Sequence, residues 1–153
     1  MFDEIDRRLL AELQIDASES LEALGKRVGL SRNACWNRIK RLEEAGIITE
    51  RVVQLNAKKI NLALTIFIAV RTNQHDPEWL ETFARETRTI PEIQGVYRMT
   101  GDLDYLIKAR VPDVEAYDEL YQRLIRKVPL SDVSASFVMQ EIKETTALPL
   151  TYC

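Results

Sequence analysis

One short segment near the N-terminus carries side chains that can recognise the edges of DNA bases. Arginine donates two parallel hydrogen bonds to guanine, and asparagine both donates to adenine and accepts from it. These groups read a sequence when they project from a helix that enters the major groove. The segment places such polar groups at the start and along one stripe of a helix: Ser31, Arg32, Asn33, Asn37, Arg38 and Arg41. We therefore predict that this helix binds duplex DNA.

The same segment concentrates positive charge in a chain whose net charge is −3. Six cations lie between Glu22 and Glu43 with no acid among them: Lys26, Arg27, Arg32, Arg38, Lys40 and Arg41. Residues 61–153, in contrast, hold 10 Lys and Arg against 14 Asp and Glu. A local positive field attracts duplex phosphates, so Lys26, Arg27, Lys40 and Arg41 are expected to contact them. The alternative is a solvated basic face on an ordinary three-helix domain.

A second candidate site lies at a turn in the later half of the chain. Gly101 permits a positive φ angle and close approach of a ligand to the backbone. Asp102 and Asp104 could bind an ammonium group, while backbone N–H groups of the turn could bind a carboxylate. Ser134 and Ser136 share one face of a later strand and could add hydroxyls to a pocket. An ordinary turn and an exposed strand face are the simpler alternatives.

Other kinds of chemistry lack the residues they need. Cys35 falls inside a helix, Cys153 is the last residue, and His75 is the single histidine, so a zinc site lacks ligands. We expect Cys35 to lie in the core, His75 in a loop, and neither cysteine in a structural disulfide. The sequence has no Gly-rich phosphate loop and no G-x-S-x-G motif. We predict no enzyme activity, metal or cofactor.

The segment around the basic residues is patterned as three helices. Apolar stripes predict helices over residues 3–13, from residue 20 to Gly29, and from residue 31 to Gly46. A helix, a tight turn containing glycine and a basic helix form the helix-turn-helix pattern. The β-branched residues 47–55 predict a short strand or wing, which makes the N-terminal domain a winged helix-turn-helix.

The remaining chain alternates between strand and helix patterns. The predicted order is strand, helix, strand, strand, helix, strand, with the last strand over residues 133–143. This is the ferredoxin-like (βαββαβ) arrangement, and the whole chain is of the α+β class. The predicted domains are residues 1–55 and 63–153, joined by a linker over 56–62. Helices cover one sheet face, and we expect self-association to bury the other.

No apolar run reaches the length of about 20 residues that a membrane-spanning helix needs. The acidic start also lacks the basic and apolar regions of a secretory signal. We therefore expect a cytoplasmic protein without a membrane partner.

The motifs in both halves together resemble the Lrp/AsnC (feast/famine) family of transcriptional regulators. The resemblance rests on Gly29-Leu30-Ser31, on residues 35–43 followed by Gly46-Ile47-Ile48, and on Gly101-Asp102-Leu103-Asp104-Tyr105. It continues through residues 136–138 and 142–150 and spans nearly the whole chain. The segment Cys35-Trp36 and the ending at residues 145–150 look most like a cysteine-responsive branch of that family.

The resemblance implies properties that spacing alone does not show. Members of the family are typically homodimers that assemble into octamers and bind palindromic or repeated operators in double-stranded DNA. They sense amino acids between dimers, near the turn that here is Gly101–Tyr105. The effector role is carried onto Gly101, Asp102, Asp104 and Tyr105, with Ser134 and Ser136 as weaker candidates.

The sequence therefore predicts a transcriptional regulator whose assembly and DNA binding respond to an amino acid. Two alternatives stay open at this point. One is a small-molecule enzyme, or a regulatory subunit of one, built on the ferredoxin-like half. The other is a DNA-binding architectural protein without an effector.

Overall fold

A computed structural model describes residues 3–73 and 76–152 of the chain. Their contacts divide them into two compact units, residues 3–54 with 142–152 and residues 55–141. The predicted second domain spans residues 63–153, whereas the contacts group residues 142–152 with the first unit. His75 and Cys153 lie outside the described residues.

Three helices form the first unit: α1 (Glu4–Ile15), α2 (Leu21–Val28) and α3 (Arg32–Glu44). Each begins at a polar side chain that accepts a hydrogen bond from a free backbone N–H of the first turn, which stabilises the start of the helix. Asp3 accepts from Asp6 N, Ser20 from Ala23 N, and Ser31 from Ala34 N. Between α2 and α3, Gly29 adopts a φ of 75°, which a glycine tolerates without strain.

Apolar side chains from all three helices meet in one small core. Its buried members are Leu9, Leu10, Leu24, Val28, Cys35, Ile39 and Leu42. Gly25 of α2 lies where the turn before α3 passes closely, and Leu30 N donates to Gly25 O over 2.8 Å. The helix-turn-helix is thus a packed unit with α3 fixed against α1 and α2.

The segment after α3 differs from the predicted wing. Residues 47–55 form no strand among the described residues, and Val52, Val53 and Leu55 are exposed. The β-branched composition favours extended backbone, but a strand also needs a partner to receive its backbone hydrogen bonds. The described part of the chain supplies no partner here.

The C-terminal segment returns to the first unit through specific hydrogen bonds. The side-chain amide of Gln14 on α1 donates to Leu148 O (3.1 Å) and accepts from Leu148 N (2.6 Å). Gln54 Nε2 donates to Thr146 Oγ1 over 2.8 Å, and Leu150 packs against the core of the unit. These contacts explain why residues 142–152 belong to the helical unit and not to the sheet.

The second unit is the predicted ferredoxin-like arrangement. After a 3-10 helix at Ala57–Ile60, its elements are β1 (Leu64–Arg71), α4 (Pro77–Arg88), β2 (Ile93–Arg98), β3 (Tyr105–Val111), α5 (Val114–Lys127) and β4 (Asp132–Phe137). The strands pair antiparallel in the order β2-β3-β1-β4. The last strand ends at Phe137, earlier than the predicted residue 143.

The two faces of the sheet have different surroundings. One face packs under α4 and α5, with Ile66, Ile68, Ile107 and Phe83 in its core. The other carries Phe67, Ala69 and Leu106 among polar side chains, with Ala69 opposite Leu106 in the register. We call this second side, which neither α4 nor α5 covers, the open face. None of the described helices is long and apolar enough to span a bilayer.

Candidate DNA-binding and effector sites

The faces of α3 separate core residues from solvent-exposed polar residues. Cys35, Ile39 and Leu42, spaced four and three residues apart, point into the core. At 3.6 residues per turn, Asn33, Asn37 and Lys40 fall on the opposite side, and all three are exposed. We call these three residues the outer face of α3. No described residue hydrogen-bonds the side chain of Asn33, Asn37 or the exposed Arg32, so their donors and acceptors are available to a ligand.

Arg38 lies on the flank of α3 that faces α1, away from the outer face. Its Nη1 donates to Asp3 Oδ1 (2.9 Å), Asp3 Oδ2 (2.8 Å) and Asp6 Oδ1 (2.7 Å). The hydrogen bond to Asp6 raises the pKa of Arg38, and Asp3 adds to this shift. The pKa of Asp3 is lowered, first by the hydrogen bond from Asp6 N and then by Arg38. The sequence places Arg38 and Arg41 together on one solvent-facing stripe, whereas the structure engages Arg38 with its own chain.

Arg27 is held in a similar way on α2. Its guanidinium pairs with Glu12 Oε2 at 2.8 Å and also with Glu19, and the hydrogen bond to Glu12 is the main cause of its raised pKa. These ion pairs tie α2 to α1 and balance its charge. Of the four predicted phosphate contacts, Arg27 is therefore the most fully occupied within the chain.

The other predicted phosphate contacts keep most of their donors accessible. Lys26 pairs with Glu22 at 3.3 Å and Lys40 with Glu44 at 3.7 Å, and all four side chains are exposed. Exposed pairs of this kind contribute little stability and exchange readily for another anion. Lys40 also lies over the ring of Trp36, 5.2 Å from its centroid. Arg41 bonds Asp6 through Nη2, and its side chain remains 58% exposed.

The predicted effector turn is held firmly at the end of β1. Asp104 N donates to Val70 O (3.1 Å), and Asp104 Oδ2 accepts from Thr72 N (2.8 Å). Gly101 has a φ of 98°, which agrees with the positive φ that we predicted for this glycine. Asp102 is exposed. The turn therefore presents carboxylate groups from a fixed backbone.

Arg71 links this turn to β4, and the sequence analysis missed it. Its Nε donates to Asp102 O (2.8 Å) and its Nη1 pairs with Asp132 Oδ2 (3.0 Å). Ser134 and Ser136 lie further along β4, opposite Ala69 and Phe67 on the open face. The turn and the start of β4 thus both lie at the end of β1, where Arg71 contacts both of them. The signal in the sequence was a lone arginine that ends an apolar strand.

Tyr105 occupies a different environment from the rest of the predicted effector set. Its ring lies 4.9 Å from that of Phe83 and 5.6 Å from that of Trp79 within the core. It also lines an open groove of about 410 Å³ between α4 and β2. Gly101, Asp102, Asp104 and the two serines do not line that groove. Burial of Tyr105 anchors β3 directly after the turn.

Cys35 is buried in the first unit, and burial raises the pKa of its thiol. The prediction that it lies in the core is confirmed. No group of three or more His, Cys, Asp or Glu side chains within residues 3–73 and 76–152 is placed to hold a metal ion.

Two family models match the chain, one on each half. An AsnC-type helix-turn-helix domain matches residues 2–43, and an Lrp/AsnC ligand binding domain matches residues 65–148. The chain is also 47% identical to the DNA-binding transcriptional activator DecR of Escherichia coli (strain K12) over 151 residues, which cover 98% of this chain and 99% of that protein.

Two solved structures are similar over 99% of both chains. An AsnC family transcriptional regulator from Agrobacterium tumefaciens superposes with a TM-score of 0.96 at 45% identity. The transcriptional regulator NMB0573 from Neisseria meningitidis, solved as a complex with L-Met, superposes with a TM-score of 0.94 at 34% identity.

Proposed function

The chain belongs to the Lrp/AsnC family of DNA-binding transcriptional regulators, and we propose that it reads its operator with the outer face of α3. The curated relatives are regulators of transcription, which removes the enzyme alternative. A regulator of this kind acts on the chromosome, so we propose that it works in the cytoplasm.

The observation that carries the proposal is the exposed, unoccupied polar surface of the second helix of a helix-turn-helix. Asn33 and Asn37 lie one turn apart, the spacing at which two side chains reach neighbouring base edges in a major groove. Arg32 and Ser31 extend this surface at the start of α3. Lys26, Lys40 and Arg41 bind phosphates on either side, and Arg27 and Arg38 hold the helices in place.

We further propose that an amino acid binds at the turn and changes operator binding. Asp104 and Asp102 offer carboxylates for the α-ammonium group, and Arg71 and the backbone N–H groups of the turn offer donors for the carboxylate. Ser134 and Ser136 lie along the adjoining strand and select the side chain. Cysteine is the first candidate, because the chain is most similar in motif to the cysteine-responsive branch.

The open face supports a proposal of self-association. Phe67, Ala69 and Leu106 form an apolar strip among polar neighbours, and a second copy that pairs this face would remove the strip from water. A homodimer, and its assembly into an octamer, would place two or more copies of α3 for successive half-sites. Leu106→Asp should then lower the mass measured by light scattering towards that of a monomer, and an unchanged mass would reject this face as the interface.

One selection experiment tests the regulatory proposal. The purified protein is mixed with fragments of genomic DNA, with and without each common amino acid, and the bound fragments are sequenced. We expect a shared sequence in the bound set and a changed yield with at least one amino acid. An Asp104→Asn variant should select the same sequence and ignore that amino acid. Enrichment of no sequence under any condition would reject operator recognition, and a normal response by the variant would reject the turn as the effector site.

A further inference from the structure

The buried carboxylate of Asp6 has no part in the proposed reading of DNA. Its side chain is 1% exposed, and a buried charge is tolerated only when partners satisfy it. Asp6 Oδ1 accepts from Arg38 Nη1 (2.7 Å), and Oδ2 accepts from Asp3 N (3.1 Å) and from Arg41 Nη2. Because Asp6 lies on α1 and both arginines lie on α3, one carboxylate joins the two helices beside the DNA-binding surface.

The two arginines differ in what they leave for a second anion. Arg38 is 23% exposed, and its Nη1 already lies within hydrogen-bond distance of three carboxylate oxygens. The negative charges of Asp3 and Asp6 offset its field towards solvent. Arg41 also uses a single nitrogen, but that nitrogen contacts one carboxylate, Asp6, and the side chain is 58% exposed. A guanidinium has five N–H donors, so most of those on Arg41 remain available.

We propose that Asp6 and Arg38 are positioning residues that aim Arg41 at a DNA phosphate, and that neither of them touches DNA. The inference rests on the proposed function of α3. Asp6 fixes one edge of the Arg41 guanidinium, so less side-chain freedom is lost when a phosphate binds. Arg38 fixes Asp6 in turn and is itself fixed by Asp3. The contacts therefore run from Asp3 to Arg38, from Arg38 to Asp6 and from Asp6 to Arg41, and only Arg41 contacts the duplex.

The salt dependence of DNA binding separates a phosphate contact from a positioning role. Each phosphate that a side chain neutralises contributes about one unit to the slope of log affinity against log salt concentration. The probes are a duplex selected by the wild-type protein from genomic DNA and a scrambled duplex of equal length, measured by fluorescence anisotropy. Arg41→Met should reduce the slope by about one unit for each protomer on the duplex.

Arg38→Met should leave the slope unchanged while it weakens binding to the selected duplex by about tenfold, because the contacts remaining on Arg41 are poorly placed. Asp6→Asn should weaken binding to the selected and the scrambled duplex to a similar extent, because the phosphate that Arg41 contacts is present in any sequence. Glu4→Gln is the matched control. It removes the same charge from the same helix, and Glu4 pairs with Arg7 rather than with α3, so it should bind both duplexes at least as tightly as the wild type.

Two results would overturn the inference. A fall in slope for Arg38→Met equal to that for Arg41→Met would make Arg38 a phosphate contact. If Asp6→Asn binds both duplexes with the same affinities as Glu4→Gln, Asp6 has no positioning role. If circular dichroism shows that Asp6→Asn is unfolded, Asp3→Asn decides, because at an exposed site it removes the charge and one of the two oxygens that Arg38 contacts. If Asp3→Asn binds the selected duplex more weakly with an unchanged salt slope, the inference is supported. If its binding to that duplex is unchanged, the inference is rejected. A wild-type protein that does not discriminate the duplexes would reject the proposed function instead.

Discussion

Gly25 provides a direct test of how tightly the helix-turn-helix is packed. A Cβ atom added there would lie 2.5 Å from Leu30 O and 3.4 Å from Cys35 Sγ. Leu30 O is a backbone atom, and Leu30 is already held to Gly25 by the hydrogen bond from Leu30 N to Gly25 O. It cannot rotate away as the end of a side chain would. Gly25→Ala must therefore move the turn that places α3.

Two opposing contributions set the expected size of the effect. Alanine in place of glycine within a helix gains about 1 kcal/mol from backbone propensity. Forcing an extra carbon into a packed interior costs about 1–3 kcal/mol, and the upper end applies because backbone must shift. We expect a net loss of about 1–2 kcal/mol in the free energy of unfolding, which lowers the melting temperature of a unit this size by about 5–15 °C.

Thermal unfolding followed by circular dichroism measures this loss. Glu22→Ala is the control, because it introduces alanine at an exposed site of the same helix and should change stability by no more than about 0.5 kcal/mol. The reasoning is refuted if Gly25→Ala melts at or above the wild-type temperature. In that case the propensity gain exceeds the clash, and the turn is free to adjust.

Three further predictions follow from individual contacts. In a Cys153→Ser background, Cys35 should react with a thiol reagent only as fast as the first unit opens, because burial raises its pKa and blocks access; rapid reaction in the folded state would contradict its burial. The pKa of Asp3 is lowered from its ordinary value of 3.8, so its stabilising effect is present above that pH and is lost as the pH falls through the lower folded value. Melting curves between about pH 5 and pH 3 should then show a smaller acid loss for Asp3→Asn than for the wild type, and equal losses would rule out this contribution. Gln14→Ala should destabilise the helical unit by about 1 kcal/mol, because it removes two hydrogen bonds to Leu148, and should expose the C-terminal segment to carboxypeptidase; unchanged digestion would show that the segment is held by other contacts.

Local rules predicted most of the fold. The starts of α2 and α3 follow from Ser20 and Ser31, whose hydroxyls accept from the first turn, and Gly29 ends α2 in the left-handed conformation. The ferredoxin-like order follows from the change of apolar period after residue 62. These features depend on neighbours within a few residues, which a sequence pattern records directly.

The differences arise where distant partners decide. Residues 47–55 have the composition of a strand but lack a partner within the described chain, so composition alone predicted the wrong state. The packing of residues 142–152 depends on Gln14, more than a hundred residues away. A single glutamine has no periodic sequence pattern from which its hydrogen bonds to Leu148 could be predicted.

The candidate DNA site shows the same limit at the level of single side chains. Spacing placed Arg38 and Arg41 on one exposed stripe, and helical geometry alone allows both. The burial of Asp6 is what separates their environments. A sequence does not show that an acid near the start of α1 faces into the unit. Arg71 was missed for the same reason, because its two partners come from the turn and from β4.

The most direct test of the account measures whether the outer face of α3 reads bases. The Asn33→Ala/Asn37→Ala double variant is compared with Asn73→Ala, an exposed site in the other unit, on the selected and scrambled duplexes. We predict that the double variant loses about tenfold or more in affinity for the selected duplex, keeps its affinity for the scrambled one, and keeps its salt slope, while the control behaves as wild type. Unchanged affinity for the selected duplex, or an equal loss on both duplexes, would contradict base recognition by this face.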